Sequence, residues 1–303
     1  MWKFLSNNFT AIAVTTIGAF FGFLFALCIE WIRLMLDKKK TQKLIENENK
    51  RKIEYFILLL EEVVRVSEQQ ANIIRNYIME QRRNFLSIKT LTLIATNVFT
   101  RLKNIDNRGV FEALAARFKN DKTWLSRYNK LNSSLDFLEG LLREELHRIN
   151  NNTLEKGYKD LCYIRDLIEY IANVLSKEAM RKANELGDGR FEDSEYQFID
   201  AKIKLYRQLI EEQSNLNKIG THFLLPMQKE ILEEYLEFKE YPYIQDILFK
   251  SKDARVRMNN VRQDIQNVLN TYQRYVQQMQ QSIEYIEQMI IQLNNKQYGK
   301  TYL

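Results

Sequence analysis

The first hydrophobic feature of the chain is an uninterrupted apolar run near its start. No charged side chain occurs between Lys3 and Glu30, and the stretch from Phe4 to Ile29 would form a helix about 39 Å long. Because the hydrocarbon core of a bilayer is about 30 Å thick, this length is enough to cross it. A cleaved signal peptide has a shorter apolar region followed by small residues, whereas this run ends in bulky and charged ones. The pattern therefore predicts a retained transmembrane anchor over residues 1–36.

Aromatic and basic residues at the ends of the run predict its orientation. Trp2 and Trp31 bracket it, and an indole ring suits the headgroup layer because its body is apolar and its N–H is polar. The cations that follow the run are Arg33, Lys38, Lys39 and Lys40. Since cytoplasmic flanks carry the excess of Lys and Arg, we expect a single pass in the inner (cytoplasmic) membrane, with the N-terminus outside and the C-terminal bulk in the cytoplasm. The same lysines could also rest on anionic membrane lipids.

Small residues recur along one face of the apolar run. They are Ala11, Thr15, Gly18, Gly22 and Ala26. In lipid, small residues three or four apart let two helix backbones approach closely, and packing then drives their association. The stripe predicts that the spanning helix packs against copies of itself, so that the chain is a homo-oligomer. A plain anchor that contains some glycine is the alternative.

Beyond the run, apolar residues recur three or four apart, which is the spacing of amphipathic helices. The first such series comprises Ile53, Phe56, Leu60, Val63, Ala71, Ile74 and Ile78. No helix breaker separates this series from the spanning segment, so we expect the spanning helix to continue into the cytoplasm as a stalk. The stretch from Phe85 to Phe99 is too short to span a bilayer comfortably, and we expect a buried core helix there.

Polar and glycine-containing stretches predict the boundaries of the later helices. In chain order these are a start at Asn120 or Asp121, a stop near Asn150, a loop at Gly187–Gly189, a cap at Asp193 or Ser194, a stop near Gly220, a start at Pro226 and a stop at Pro242.

The last segment has the most regular pattern. A helix from about Asp253 to Gln297 would place on one face Val261, Ile265, Val268, Tyr272, Tyr275, Met279, Ile286, Ile290 and Leu293. Tyrosine at such positions favours packing within one chain over a tight dimeric seam, although pairing with a second copy stays open. The expected fold is all-α: a single N-terminal transmembrane helix followed by an elongated cytoplasmic helical bundle with long, coiled-coil-like helices. Residues 37–186 would form the stalk and first bundle, and residues 187–303 a second helical segment packed with it.

Composition supports this fold and narrows the classes of function. The 303 residues include only 9 glycines and 2 prolines, too few for the turns of a β-rich protein. The net charge of +6 is mild and interleaved with acids, so nucleic acid is not an expected partner. Cys28 lies inside the apolar run, where a disulfide to Cys162 is implausible.

The sequence contains no recognisable catalytic or cofactor motif. His147 and His222 have no second histidine or cysteine nearby, and no phosphate-binding glycine loop or nucleophile elbow occurs. Arg143 and His147 are too close in sequence for the arginine–histidine pair of helical HEPN-type ribonucleases. The acidic stretch Glu185–Glu195 does not follow the ligand order of a calcium loop. We therefore expect no cofactor and no metal, and an enzyme with an unfamiliar helical site ranks last among the functions.

Two functions remain open. The first is a membrane-anchored cytoplasmic interaction or scaffold protein that self-associates through its transmembrane helix and binds an unidentified protein partner. The alternative is a membrane-acting effector of a bacterial toxin or phage-defence system, in which clustered helices disturb the bilayer. Both depend on the small-residue stripe.

Overall fold

The fold is all-α, as predicted. The computed structural model describes residues 2–119, 121–234 and 236–298, with side chains from Ala13 to Asn295 except at positions 120, 235, 236 and 238, and contains no strand within them. The α-helices are α1 (Trp2–Arg83), α2 (Asn97–Lys103), α3 (Asn107–Arg117), α4 (Trp124–Gly140), α5 (Leu146–Leu186), α6 (Ser194–Glu211), α7 (Leu216–Ile219), α8 (Leu225–Glu233) and α9 (Pro242–Tyr298). Short π-helical turns at Leu141–Glu145 and Gly220–Leu224 and 3₁₀ turns at Gly187–Glu192 and Leu236–Glu240 lie between them.

Helix α1 confirms that the apolar run continues into the amphipathic series without a break. It contains 82 residues, and the predicted inward positions between Ile53 and Ile78 are all buried. It ends in Arg82 and Arg83, whose positive charges suit the negative end of a helix dipole.

The chain divides into two compact units that are not contiguous in sequence. Unit 1 comprises Met1–Leu60 and Thr100–Arg127. Within it, Asp106 caps α3 by accepting a hydrogen bond of 2.9 Å from the N–H of Gly109, and the Nζ of Lys52 lies 3.5 Å from the same carboxylate. The rings of Phe118 and Trp124 stack at a centroid distance of 4.8 Å. Residues 107–109 are therefore the first turn of a capped helix.

Unit 2 comprises Glu61–Phe99 and Tyr128–Leu303, and its core is a helical bundle in which α5 packs against α6 and α9. Helix α9 begins at Pro242, eleven residues earlier than predicted, because proline suits the first turn of a helix as well as it ends one. Of the predicted inward residues, Val268 and Tyr275 are only half-buried, because the adjacent Leu269 and Val276 are buried in their place. The buried apolar positions that continue the three-four repeat are Ala254, Met258, Val261, Ile265, Leu269, Tyr272, Val276, Met279, Ile283, Ile286, Ile290 and Leu293.

A tyrosine pair joins α1 to α9 inside unit 2. The ring of Tyr77 meets that of Tyr272 edge to face at 5.7 Å, and both side chains are buried. Burial raises the pKa of both phenols. The tyrosine at this core position thus packs within the chain.

The core helix predicted over Phe85–Phe99 is wrong. Residues 88–96 have no helical structure, and only the last three positions of the predicted helix belong to α2. Three buried side chains instead satisfy the backbone of this extended segment: Gln70, Gln81 and Asn150. Because these amides replace the hydrogen bonds of a helix, a threonine-containing apolar stretch can lie in the core without regular structure.

The predicted helix stop near Asn150 is also wrong. The helical path is continuous over residues 124–186, because the side chain of Asn150 does not compete for its own backbone but accepts the N–H of Leu91 at 3.0 Å. The helix ends at Leu186, as the predicted loop requires, and Gly187 adopts φ +56° there.

The remaining boundaries are a mixture of confirmed and incorrect predictions. Asp193 caps α6 by accepting the N–H of Tyr196 at 2.7 Å, as predicted. Helix α6 stops at Glu211 and not near Gly220, because the backbone reverses at Gln213, where φ is +50°. Pro226 lies in the first turn of α8, as predicted. Asn120, one of the two predicted caps, lies outside the described residues.

Candidate functional site

From Val14 onward, the apolar part of α1 is exposed and is not covered by the rest of the described chain. Every residue from 14 to 48 is exposed, including Phe20, Phe21, Phe25 and Trp31 at 60% or more. Soluble monomers rarely expose a continuous apolar surface of this kind. By length and composition, this helix is able to cross a membrane, and the apolar stretch that qualifies has no buried side chains.

The small-residue stripe lies on this exposed part of α1. Thr15, Gly18, Gly22 and Ala26 are all exposed, and a Cβ added to either glycine would meet no atom within 4 Å. Their spacing of three or four residues places them along one face of the helix. The side chain of Ala11 lies outside the described residues. The stripe is therefore an open surface in the single chain.

The predicted interface residues are also exposed. Trp31 is 61% exposed and Arg33, Lys38, Lys39 and Lys40 follow it on α1. Within the part of the chain that the structure describes, none of these four cations has an ion-pair partner. The side chain of Trp2 lies outside that part.

A basic and apolar groove, which the sequence analysis missed, lies between α1 and α9 in unit 2. It has a volume of about 610 Å³ and is formed by Arg75, Ile78, Met79 and Arg82 of α1 and by Gln273, Val276, Gln277, Gln280 and Gln281 of α9. We call it the Arg–Met groove. Met79 is 58% exposed there, beside the buried side chains of Ile78 and Val276. The spacing of Arg75, Met79 and Arg82, at i, i+4 and i+7, was the available sequence signal for this face.

The two arginines of the Arg–Met groove are bonded to neutral amides only. Nη2 of Arg75 donates to Oε1 of Gln280 at 3.2 Å, and Nη2 of Arg82 donates to Oε1 of Gln273 at 3.0 Å. Nη1 of Arg75 also donates to Asn72 at 2.6 Å. Across the described residues, no carboxylate forms an ion pair with either guanidinium. The groove therefore combines an exposed apolar centre with two positive charges that no acid neutralises.

A larger open cavity of about 890 Å³ lies elsewhere in unit 2. Its apolar lining includes Leu86, Ile88, Leu161, Tyr206 and Leu216. Two of the polar groups in its lining are bonded within the protein: Glu155 binds Lys159 at 2.7 Å, and Asn215 caps α7 through the N–H of Lys218 at 3.0 Å.

Two carboxylates of the acidic stretch Glu185–Glu195 bind a buried lysine. The Nζ of Lys182 lies 3.0 Å from Asp193 and 2.5 Å from Glu195, and the hydroxyl of Tyr243 donates to the other oxygen of Glu195. Burial lowers the pKa of Lys182, but its hydrogen bonds to Glu195 and Asp193 outweigh burial and raise the pKa above its ordinary value. We call these four residues the Lys182 cluster.

The described side chains do not form a metal centre. No group of three or more His, Cys, Asp or Glu in the described residues could hold a metal ion. His147 and His222 are both exposed, and Arg143 donates to Glu139 at 2.7 Å. Cys28 is exposed and Cys162 is half-buried, and neither is in a disulfide.

Comparison of the chain with protein-family models, with curated proteins and with solved structures found no match.

Proposed function

We propose that this chain is a single-pass membrane protein that clusters through its transmembrane helix and presents a cytoplasmic helical bundle to a protein partner. One observation carries the proposal: an apolar helical segment with no buried side chain among its described residues continues, in the same helix, into residues that are fully buried in the bundle. Lipid would cover the exposed apolar surface, and α1 would link it covalently to the bundle.

The orientation belongs to the same proposal. Arg33 and the three lysines at positions 38–40 follow the apolar segment and lack acidic partners in the described residues, so their charge is available to hold this flank in the cytoplasm. The bundle would then lie in the cytoplasm of the inner membrane, with the N-terminus outside.

The clustering half of the proposal depends on the open stripe. Gly18 and Gly22 leave room for the backbone of a second helix, and leucine at either position would fill that space. In lipid, removal of close backbone contact leaves little to hold two apolar helices together.

The test compares the oligomer of the full chain in mild detergent with that of two variants. Gly18→Leu/Gly22→Leu should lower the mass of the detergent-solubilised particle toward one chain. Phe20→Leu/Leu24→Ile changes residues on another face of the same helix, and its oligomer should match wild type. An unchanged mass in the glycine variant removes clustering from the proposal.

A second measurement separates the scaffold from the membrane-acting effector. Expression of a scaffold leaves the membrane potential of the cell intact, whereas an effector depolarises the membrane only when the spanning segment is present. Depolarisation that is lost in the Gly18→Leu/Gly22→Leu variant would replace the scaffold with the effector.

A further inference from the structure

The Arg–Met groove is a surface whose charges are incompletely satisfied. A guanidinium offers five N–H donors, and among the described residues those of Arg75 and Arg82 are bonded only to the side-chain oxygens of Asn72, Gln280 and Gln273. These hydrogen bonds orient both guanidinium groups across the space between α1 and α9 without neutralising them.

The charged residues near the groove are mostly positive on both helices. On α1 no acidic residue occurs between Glu68 and Glu80, and Glu80 is held at 2.7 Å by Lys89. On α9 the 19 positions from 265 to 283 contain one charged residue, Arg274. The groove is therefore a positive surface framed by glutamines.

The groove restricts what can cover it. A partner that buries Met79 must also exclude water from Arg75 and Arg82, which flank it on the same helix face. Burying a charge without a partner costs several kcal/mol. This cost is comparable to the binding free energy of a modest interface, so an apolar partner would bind weakly. Carboxylates would bind the guanidinium groups through paired hydrogen bonds and neutralise them.

The spacing restricts the partner further. Arg75 and Arg82 are two helical turns apart, which is about 10.5 Å along the axis of α1. A helix lying along the groove repeats its own positions at the same interval. Acidic residues seven apart, with an apolar residue between them to contact Met79, would therefore meet both arginines at once.

We infer that the Arg–Met groove is the docking site for an acidic amphipathic helix of a partner protein. This inference rests on the proposed function, since it supplies the chemistry of the partner that the cytoplasmic bundle binds. The partner helix carries two carboxylates seven residues apart on either side of an apolar side chain.

The test uses the full chain in lipid nanodiscs of neutral phosphatidylcholine, with one chain in each disc. The probe is a displayed library of helical peptides in which three positions, i, i+4 and i+7, are randomised among Glu, Gln, Lys, Leu and Ala. Wild type should enrich peptides with Glu at both outer positions and Leu in the middle. Binding of these peptides should weaken about tenfold or more in Arg75→Gln/Arg82→Gln.

Charge reversal and a matched control make the result specific. Arg75→Glu/Arg82→Glu should enrich peptides with Lys at the two outer positions instead. Arg51→Gln/Arg65→Gln removes the same charge from exposed positions of α1 away from the groove, and it should change the affinity by less than about twofold.

Two results would overturn the inference: no enrichment of peptides on wild type, or enriched peptides that bind the charge-reversed variant equally well. Because each disc holds one chain, the assay does not require clustering. A chain that oligomerises through Gly18 and Gly22 but enriches no peptide contradicts the groove inference alone.

Discussion

The side-chain amide of Gln70 lies 3.0 Å from the carbonyl oxygen of Thr92, to which it donates, although the two residues are 22 positions apart. The oxygen of the same amide accepts the N–H of Ile94 at 2.9 Å. Gln81 acts similarly on the preceding residues, donating to Asn84 and Ser87 and accepting from Lys89. The side chains of two glutamines of α1 therefore supply the backbone hydrogen bonds that the extended segment would otherwise form in a sheet or a helix.

The first prediction concerns Gln70. In Gln70→Leu, the carbonyl of Thr92 and the N–H of Ile94 lose their partner, which should cost about 2–4 kcal/mol of the free energy of unfolding. Hydrogen exchange of the full chain in detergent should show faster exchange at Ile94 and its neighbours. Gln69→Leu alters the exposed neighbour and should leave exchange at these amides unchanged. Equal protection in the two variants would show that the amide is dispensable.

The second prediction compares two helical glycines. A Cβ at Gly157 would collide with the side chain of Ile88 from the extended segment, whereas a Cβ at Gly140 would meet nothing within 4 Å. Gly140→Ala should therefore stabilise the protein by about 0.5–1 kcal/mol through helix propensity. Gly157→Leu should destabilise it by about 1–3 kcal/mol through overpacking. Urea unfolding followed by circular dichroism measures both, and a stabilised Gly157→Leu would contradict the close packing of Ile88.

The third prediction is a pH dependence set by the Lys182 cluster. The pKa of Lys182 is raised above 10.5, so the folded state holds this proton more tightly, and the resulting stability is lost as pH rises through the folded pKa. Burial and Glu195 raise the pKa of Tyr243 above 10.0, so the stability that this phenol contributes is also lost as pH rises. Burial raises the pKa of Asp193, but hydrogen bonds from Tyr196 and Lys182 outweigh it and the pKa lies below 3.8, so that stability is lost as pH falls.

These shifts predict how a variant of the cluster differs from wild type. Lys182→Met should cost about 3–5 kcal/mol at neutral pH, because two carboxylates lose their buried cation. Relative to this variant, wild type should lose its advantage both below about pH 4 and above about pH 10. Lys177→Met, at an exposed position of the same helix, should follow the wild-type curve. Parallel unfolding curves of Lys182→Met and wild type across pH would contradict the role of the ion pairs.

The fourth prediction concerns orientation in the membrane. Replacing Arg33 and the lysines at positions 38, 39 and 40 with Gln removes the cations that follow the apolar segment, so a fraction of the chains should insert with the bulk outside. Protease added to spheroplasts should then digest part of the variant and none of the wild type. Removing Lys43, Lys50, Arg51 and Lys52 instead takes away four charges farther from the segment and should have a smaller effect. Digestion of the wild-type chain would reverse the assigned orientation.

The buried face of each long helix was predictable because it follows from spacing alone. The predicted residues between Ile53 and Ile78 on α1 are buried where the pattern places them, and so are seven of the nine predicted positions on α9. Val268 and Tyr275 are exceptions: both are half-buried, and the neighbouring Leu269 and Val276 are buried in their place. A three-four pattern defines a face to within about one residue, and tertiary packing decides which of two adjacent apolar residues is covered.

Two of the errors in the prediction share one physical cause. The local sequence at Asn150 predicts a helix end, and the stretch that contains Ile94 predicts an apolar helix. Both segments are instead held by hydrogen bonds to distant residues: Asn150 accepts the N–H of Leu91, and Gln70 of α1 accepts the N–H of Ile94. Such hydrogen bonds join residues far apart in the sequence, and the local sequence around either partner does not predict them. The Arg–Met groove was missed for the same reason, because its glutamines on α9 gain meaning only beside Arg75 and Arg82.

The most direct test of the account asks whether the apolar segment of α1 holds the chain in lipid. Membranes from expressing cells are washed at alkaline pH and floated on a density gradient, and the full-length chain is followed by an antibody. The account predicts that the chain floats with the lipid and that deletion of residues 4–29 releases it. Full-length chain recovered in the aqueous supernatant without detergent would contradict the account.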